Sequence, residues 1–364
     1  MTETKRTIGI IGWRGLVGQT LCQRMDKNHD FANHHIILFS SQQGLTKPSF
    51  INHTGMLTLA HLEDLSSLSQ CDILLVCQGS SYTHMMHPRL RHEGWRGYWL
   101  DASSYLRDHQ SAQMVLDPIN GSTITRSIQT GQLDFVGANC CTSLLLLALK
   151  GLYDTDDIEH VCSTTYQALS GAGANTLKQY LNEVYKGNVP NDTVPLLEQC
   201  SQLENQTTWM PLLSQVYPTI DVLQPNGWSK EELKFTKEAT TLRGIETDID
   251  ATCLRVNMLR CHLQSLVVTL KTPMPLTKIK DKLIQAHPWI KYIEDNELGS
   301  EAFLAKRFSN TLDIGIARLR INPKRPHQVH LLTIGDQLLW GAAEPLRRTL
   351  KEILSTIKNS VHTH

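Results

Sequence analysis

The start of the chain constrains the fold most strongly. A short apolar run at residues 7–12 passes directly into a loop with three regularly spaced glycines and then into a helix-like stretch. This order predicts a strand, a tight turn and a helix. Further strand-length runs follow at residues 35–39, 72–77, 98–101 and 115–117. Strands that alternate with helices indicate parallel strands joined by crossovers, and hence an open α/β sheet.

The pattern changes after about residue 159, where longer strand candidates are grouped together. They lie at residues 159–167, 261–270, 312–321 and 328–334. Such grouping favours an α+β domain with a mainly antiparallel sheet. A polar, proline-rich region at 186–231 is typical of a loop. The final stretch, residues 338–357, has apolar residues near helical spacing and predicts an amphipathic helix.

Composition argues against several classes of function. The 364 residues carry 35 basic and 35 acidic side chains, so no overall positive field exists to bind a nucleic acid or an anionic membrane. The longest apolar run, residues 144–149, is far shorter than the roughly 20 residues of a membrane span. Residues 1–7 are polar and lack a secretory signal. We therefore expect a cytoplasmic protein. Its length suggests two domains, and one large domain is the alternative.

Nine cysteines without a CxxC pair predict neither a disulfide framework nor a zinc ribbon. No histidine pair has a third ligand at a recognisable spacing, so we expect no metal site. Only the neighbouring Cys140 and Cys141 have surroundings that suggest chemistry. The others considered are expected to be reduced thiols in the core: Cys22, Cys71, Cys77, Cys162, Cys253 and Cys261.

Gly12, Gly15 and Gly18 form a GxxGxxG pattern between the first strand and the first helix. Small residues there let the backbone approach a pyrophosphate, and the helix N-terminus presents its N–H groups to it. The spacing departs from GxGxxG, and a plain strand-to-helix turn is the alternative. The position of the pattern directly after a strand favours a dinucleotide site.

The end of the second strand indicates which dinucleotide binds. NAD enzymes of this type usually carry a carboxylate there for the ribose hydroxyls, whereas this chain has Ser40 and Ser41. Serine hydroxyls and the nearby Arg14 can donate hydrogen bonds to a 2′-phosphate. We therefore favour NADP, although serines also commonly begin loops.

Asn139 and Cys140 precede an apolar helix that we expect to begin near Thr142. A cysteine at a helix N-terminus is stabilised as the thiolate, which is the nucleophilic form. Two small cysteines packed under the start of a helix are the alternative interpretation.

Seven blocks along the chain resemble the bacterial aspartate-β-semialdehyde dehydrogenases, in the same order. They are GWRGLVG at 12–18, CQG at 77–79, WLDASSYLR at 99–107, GANC at 137–140, TYQALSG at 165–171, RVNMLRCH at 255–262 and GDQLLWGAAEPLRR at 335–348.

The resemblance implies the fold and the reaction. It implies a Rossmann-like dinucleotide-binding domain at 1–138, with the C-terminal helix at 338–364 packed back on it, and a catalytic and dimerisation domain at 139–337. It implies NADPH-dependent reduction of β-aspartyl phosphate to aspartate β-semialdehyde and phosphate through a cysteine thioester. This step belongs to lysine, threonine, methionine and diaminopimelate biosynthesis. A homodimer or a dimer of dimers is implied as well.

The resemblance also implies the residues of the site. Cys140 is the nucleophile and His262 the acid/base partner, while Cys141 stands where the family usually has another small residue. The implied substrate residues are Gln167, Glu238 and Arg255, and the implied phosphate residues are Arg107, Asn139 and Thr241. The cofactor positions are Gly12, Arg14, Gly15, Leu16, Val17, Ser40, Ser41, Gln78, Ser170, Gly171 and Gln337.

The chain departs from the family at a few positions. Thr241 stands where the family has a phosphate-binding lysine, and Ala138 and Ala172 replace common glycines. The 186–231 segment lacks the usual pattern. Three alternatives follow: a related reductase of another acyl phosphate, a divergent and weakly active paralogue, and a non-catalytic paralogue that only binds a nucleotide or a partner.

Overall fold

The computed structural model describes residues 5–42, 48, 51, 56–185, 216–298 and 301–360. The chain forms two compact units. The first comprises Met1–Ala138 and Ala342–His364, and the second comprises Asn139–Gly341.

The first unit contains a seven-stranded sheet in the order β3-β2-β1-β4-β5-β7-β6, and all its strand pairs are parallel. The strands are β1 (Thr7–Ile11), β2 (His35–Ser40), β3 (Leu57–His61), β4 (Ile73–Val76), β5 (Tyr98–Asp101), β6 (Ala112–Val115) and β7 (Asp134–Gly137). The helices are α1 (Leu16–Lys27), α2 (Leu65–Ser69), α3 (Ser80–His92) and α4 (Asp117–Gln129). The strand order reverses at β1, so the crevice beyond the carboxyl ends of β1 and β4 is a typical ligand site.

The central strands of this sheet are buried on both faces, as all four residues of β4 show. This burial explains why they appear in the sequence as continuous apolar runs. The strand expected at 115–117 is wrong in position, because β6 ends at Val115 and Asp117 already begins α4. Pro118 fits the first turn of that helix, where a missing N–H is tolerated.

The second unit contains a six-stranded sheet in the order β11-β12-β13-β10-β8-β9. Its elements are α5 (Cys140–Tyr153), β8 (Ile158–Gln167), α6 (Ala174–Tyr185), α7 (Lys230–Arg243), β9 (Ile249–Arg255), β10 (His262–Leu270), α8 (Leu276–Gln285), β11 (Ile290–Tyr292), α9 (Ala305–Phe308), β12 (Ile314–Asn322) and β13 (Arg325–Gly335). The three inner pairs are antiparallel, while β11–β12 and β8–β9 are parallel. The expected fold class is confirmed, with a mixed, mainly antiparallel second sheet.

The strands of the second sheet alternate between buried and half-buried residues, most regularly in β10. One face therefore packs on the core, which includes the apolar helix α5, and the other is more open. Cys162 lies on the open face and is exposed, so its expected place in the core is wrong. Cys77 is half-buried. The other four thiols expected in the core are buried: Cys22, Cys71, Cys253 and Cys261.

The C-terminal helix α10 (Glu344–Ser360) follows a π-helical segment, Leu339–Ala343. It packs against α1 and α4 of the first unit and buries Leu346, Leu350 and Ile353 there. Short 3-10 turns lie at Tyr105–Asp108, Leu169–Ala172, Asp295–Glu297 and Glu301–Phe303. None of the helices in the described ranges combines the length and the apolar character that a membrane span requires.

Candidate active site

Cys140 is the first residue of α5, and Asn139 caps that helix. The side-chain oxygen of Asn139 accepts hydrogen bonds from the backbone N–H groups of Cys141, at 2.9 Å, and Thr142, at 3.2 Å. The expected helix start near Thr142 is therefore two residues too late. Both cysteines lie in the first turn, where the helix dipole stabilises a negatively charged sulfur.

The sulfurs of Cys140 and Cys141 and a ring nitrogen of His262 all lie within 4.8 Å of one another. A hydrogen bond with Cys141, followed by the nearby imidazole of His262, holds the pKa of Cys140 well below its ordinary value, against the opposing effect of burial. Burial raises the pKa of the fully buried Cys141. Cys140 is therefore the thiol that ionises first.

His262 is the first residue of β10 and is fully buried. Its Nδ1 accepts a hydrogen bond from the backbone N–H of Ala168 at 3.1 Å, so a neutral ring must carry its proton on Nε2. Nε2 is buried and has no hydrogen-bond partner in the described part of the chain. It is a donor that an oxygen of a bound molecule can satisfy.

Gln167 and Arg255 end the parallel strands β8 and β9 and are paired in register. Both side chains are buried, and Nη1 of Arg255 donates to the carbonyl of Ala168 at 2.7 Å. Burial lowers the pKa of Arg255. A Cβ atom on Gly171 would lie 3.1 Å from Nη1 of Arg255 and 3.2 Å from Nε2 of His262. The guanidinium and the imidazole therefore border the same space beside Gly171.

Two carboxylates of α7 contact Asn139. Oε2 of Glu238 accepts from the backbone N–H of Asn139 at 2.5 Å, and Oε1 of Glu231 accepts from Nδ2 of Asn139 at 2.7 Å. Glu231 also accepts from Nε2 of Gln167 at 3.4 Å and pairs with Lys234 at 3.0 Å. Glu231 and Glu238 are seven residues apart, about two helical turns, so they share one face of α7.

Glu231 and Lys234 were not among the residues expected from the sequence. The expected loop at 186–231 is wrong at its end, because α7 begins at Lys230, while residues 186–215 lie outside the described ranges. A signal for the helix start was present. Ser229 and Glu232 form a reciprocal capping box, with the spacing that marks a helix N-terminus.

The three residues expected to bind phosphate have different contacts. Asn139 caps α5, whereas Thr241 is exposed on α7 and donates its hydroxyl hydrogen to the carbonyl of Lys237 at 2.9 Å. Nε of Arg107 donates to the carbonyl of Gly137 at 2.9 Å. A phosphate role for these residues stays a prediction.

The three glycines of the proposed cofactor loop, residues 12–18, differ in how much space surrounds them. Gly12 has a φ of +76°, and a Cβ atom there would lie 2.6 Å from the backbone carbon of Cys77. A Cβ atom on Gly18 would lie 2.1 Å from the oxygen of Gly12, whereas one on Gly15 would come no closer than 3.5 Å. The turn itself thus requires Gly12 and Gly18, whereas a Cβ atom on Gly15 would make only an ordinary van der Waals contact.

The groups around this loop fit NADP. Helix α1 has no side-chain cap, and the N–H groups of Leu16 and Val17 lie in its first turn, where a pyrophosphate can accept from them. Nη1 of Arg14 donates to Oγ of the buried Ser40 at 3.4 Å, and Ser41 beside it is exposed. A guanidinium and hydroxyls at the end of β2 suit a 2′-phosphate.

The remaining expected cofactor positions are divided between the two units. Gln78 follows β4 in the first unit and is exposed. In the second unit, Nε2 of Gln337 donates to Oγ of Ser170 at 2.6 Å, and its Oε1 accepts from the backbone N–H of Cys261 at 2.8 Å. Gly171 follows Ser170 and is exposed.

Comparison with known proteins supports the expected family. Residues 7–127 match the semialdehyde dehydrogenase NAD-binding domain, and residues 149–340 match the semialdehyde dehydrogenase dimerisation domain. A solved aspartate semialdehyde dehydrogenase from Francisella tularensis is 38% identical, with a TM-score of 0.84 over 96% of this chain and 99% of that one.

More distant structures share the fold. Aspartate semialdehyde dehydrogenase II from Vibrio cholerae, complexed with ASA, is 20% identical with a TM-score of 0.79 over 97% of this chain and 99% of that one. The Candida albicans enzyme with NADP is 15% identical with a TM-score of 0.68 over 97% and 99%. The resemblance found in the sequence is confirmed.

Proposed function

Because the chain belongs to the semialdehyde dehydrogenase family of oxidoreductases, we propose that it is an aspartate-β-semialdehyde dehydrogenase that reduces β-aspartyl phosphate with NADPH. The observation that carries the proposal is the proximity of Cys140 to His262 at the capped start of α5. The name of the Francisella tularensis relative supports the choice of substrate.

Cys140 is the proposed nucleophile. Its thiolate attacks the acyl carbon of β-aspartyl phosphate, the bond from that carbon to the phosphate oxygen breaks, and phosphate leaves with the electron pair. A thioester on Cys140 remains. The lowered pKa of Cys140 supports this role, because the thiolate is the reactive form.

His262 is the proposed acid/base partner. NADPH, when bound, supplies the hydride that reduces the thioester carbonyl. Negative charge develops on the carbonyl oxygen, and the Nε2–H of His262 is the donor suited to stabilise it. When the carbonyl re-forms, the C–S bond breaks, the aldehyde leaves and the Cys140 thiolate returns.

Three side chains are proposed to bind the substrate zwitterion. Arg255 binds the α-carboxylate through parallel hydrogen bonds, and Gln167 adds a neutral contact. Glu238 binds the α-ammonium. The support for Gln167 and Arg255 is that they lie side by side in register. Glu238 accepts from the backbone N–H of Asn139, whereas the acid that contacts Gln167 directly is Glu231.

Arg107, Asn139 and Thr241 are the proposed phosphate residues, and Thr241 offers a hydroxyl where the family offers a charge. The dinucleotide is proposed to be NADP rather than NAD, bound at the GxxGxxG loop with Arg14 and Ser40 at its 2′-phosphate. The Candida albicans relative is named with NADP, in agreement with this choice.

The remaining proposals concern assembly and physiology. A homodimer or a dimer of dimers is supported by the matched dimerisation domain. A cytoplasmic location and a role in lysine, threonine, methionine and diaminopimelate biosynthesis follow from the proposed reaction and stay predictions.

An assay of phosphate-dependent NADP reduction by aspartate β-semialdehyde tests the proposal, with NAD in parallel. We expect activity in the wild type and a loss of more than ~10³-fold in Cys140→Ala. Cys141→Ser should keep most of the activity. The opposite pattern in the two variants would identify Cys141, not Cys140, as the nucleophile. An inactive wild type would contradict the proposed reaction.

The same assay separates the alternatives. A reductase of another acyl phosphate would prefer an acetylated or non-amino substrate, which has no ammonium for Glu238. A non-catalytic paralogue would bind NADP without turnover. The joint presence of Cys140, Gln167, Arg255 and His262 in one unit favours the enzyme.

A further inference from the structure

A second cluster of metal-ligand side chains lies on the open face of the second sheet. Cys162 on β8 and Asp250 on β9 are direct neighbours in the parallel register. His160, two residues before Cys162, shares this face because alternate residues of a strand point the same way. The register therefore places a thiol, an imidazole and a carboxylate together, although Asp250 is 88 positions after Cys162 in the sequence.

The donor atoms are close enough for one ion. Nε2 of His160 lies 3.2 Å from Oδ2 of Asp250, and the other ring nitrogen, Nδ1, lies 3.9 Å from Sγ of Cys162, so the imidazole stands between the two partners. One ligand atom from each residue can be chosen so that all lie within 4.8 Å of one another. Ligands of a tetrahedral zinc ion are roughly 3.4–3.6 Å apart, given the usual zinc–ligand bond lengths. Because an ion binds only one nitrogen of His160, binding requires the imidazole to rotate so that this nitrogen faces both Cys162 and Asp250.

We propose that His160, Cys162 and Asp250 form a Zn²⁺ site in which water completes the coordination. A thiolate, an imidazole nitrogen and a carboxylate oxygen are the ligand types that zinc combines. The His160 and Asp250 side chains are 25% and 60% exposed, and Cys162 is also exposed, so an ion can reach the site from solvent. The backbone is held in place because both strands belong to the six-stranded sheet.

The local charge favours a cation. The carboxylate of Asp250 lies beside the imidazole of His160 and is next to Cys162 in the strand register. A divalent cation neutralises this carboxylate and stabilises the thiolate that binds it. The sulfur–zinc bond forms as the S–H bond breaks, and the proton is released to water.

Cobalt titration of the full-length protein tests the site. Cys140, Cys141 and His262 are a second set of possible ligands, so the parent should be the double variant Cys140→Ser, Cys141→Ser. Co²⁺ should bind one ion per chain with a thiolate-to-cobalt absorption band, and Zn²⁺ should displace it.

Three single variants in that parent identify the ligands. His160→Asn, Cys162→Ser and Asp250→Asn should each raise the zinc dissociation constant at least ~10-fold, because removing a ligand should cost no less than removing an outer-shell partner of a ligand. Cys162→Ser should also remove the thiolate band. Thr164→Ala, on the same strand face but outside the cluster, is the matched control and should bind as the parent does.

The proposal is overturned if the parent shows no thiolate band, if the band survives Cys162→Ser, or if all three variants bind zinc as tightly as the parent. Three independent substitutions at accessible positions keep the test decisive if one variant misfolds, which circular dichroism reveals. The result does not depend on the proposed dehydrogenase activity, because binding is measured in a parent without the nucleophile.

Discussion

The two candidate sites differ in what they are made of. In the first unit, the proposed cofactor loop consists largely of backbone groups within seven consecutive residues, 12–18. In the second unit, the proposed active site joins side chains from four separate segments of the chain. These side chains belong to Asn139, Cys140, Gln167, Glu231, Glu238, Arg255 and His262.

This difference affects how each site tolerates substitution. A backbone site depends on space, because its ligands are N–H groups that every residue except proline carries. A side-chain site depends on buried polar partners, and removing one leaves another unsatisfied. Substitutions that separate these two kinds of dependence therefore test the comparison directly.

The largest effect is expected from Asn139→Ala. The change removes the cap of α5 and the amide donor of the buried Glu231. We expect a loss of about 3 kcal/mol in the free energy of unfolding, from a lost cap and a lost hydrogen bond to a buried carboxylate. Urea denaturation measures the loss.

Asp64→Ala is the matched control in the first unit. Asp64 caps α2 by accepting from the backbone N–H groups of Ser66 and Ser67, and its contacts are partly exposed. We expect a loss of about 1 kcal/mol or less. Equal losses in the two variants would mean that the carboxylates of α7 add nothing to the cap at Asn139.

The next largest loss of stability is expected from a substitution in the cofactor loop. Gly18→Ala places a Cβ atom 2.1 Å from a backbone oxygen, so it should lower the free energy of unfolding by about 2 kcal/mol through overpacking. Gly15→Ala meets no such contact and should change stability by less than about 0.5 kcal/mol.

For Gly15→Ala and Gly18→Ala, the KM for NADP separates an effect on cofactor binding from an effect on folding. Gly15→Ala should raise it, because the new methyl group lies where we propose that the pyrophosphate binds. A Gly15→Ala protein with normal stability and normal KM would place the pyrophosphate elsewhere.

The same contrast explains how much of the fold was predictable. Strands β2, β4 and β5 were located to within about one residue because burial on both faces leaves continuous apolar runs. Strand β3 was missed because it is a sheet-edge strand with mostly exposed or half-buried residues. Strand β9 was missed because polar and charged residues interrupt its apolar ones.

The site was predictable from the sequence only where its parts are local. The glycine spacing and the asparagine–cysteine pair can be recognised within a few residues. Glu231 was missed because its role depends on α7 beginning one residue before it and facing Asn139, which is 92 positions earlier. Cys162 was misplaced because its exposure depends on which sheet face its strand residue occupies, and composition does not show this.

A smaller effect is expected on the alkylation rate of Cys140, which depends on the adjacent thiol of Cys141. Because a hydrogen bond with Cys141 lowers the pKa of Cys140, alkylation of Cys140 should stay fast below the ordinary pH range of a thiol and slow only as the pH falls through the lowered value. Cys141→Ala should raise that pKa and reduce the rate near neutral pH by about 10-fold. Iodoacetamide kinetics with mass spectrometry of the Cys140 peptide measure it.

Cys141→Ser is the control, because a hydroxyl can still donate to the sulfur. Its alkylation curve should lie close to that of the wild type. If alanine and serine shift the curve equally, the hydrogen bond is not the cause of the lowered pKa, and His262 becomes the dominant influence.

The smallest effect is expected at Thr241, which belongs to the second unit but is exposed. Substitution there leaves no buried group without its partner. Its hydroxyl is bonded to the backbone of its own helix, so Thr241→Lys adds a charge without removing a contact between segments. An exposed charge contributes about 0.5 kcal/mol, so the apparent KM for phosphate should fall by about twofold, and less at high salt. Thr241→Met, similar in length but uncharged, should not lower it. An unchanged or higher KM in the lysine variant would argue against phosphate binding beside this residue.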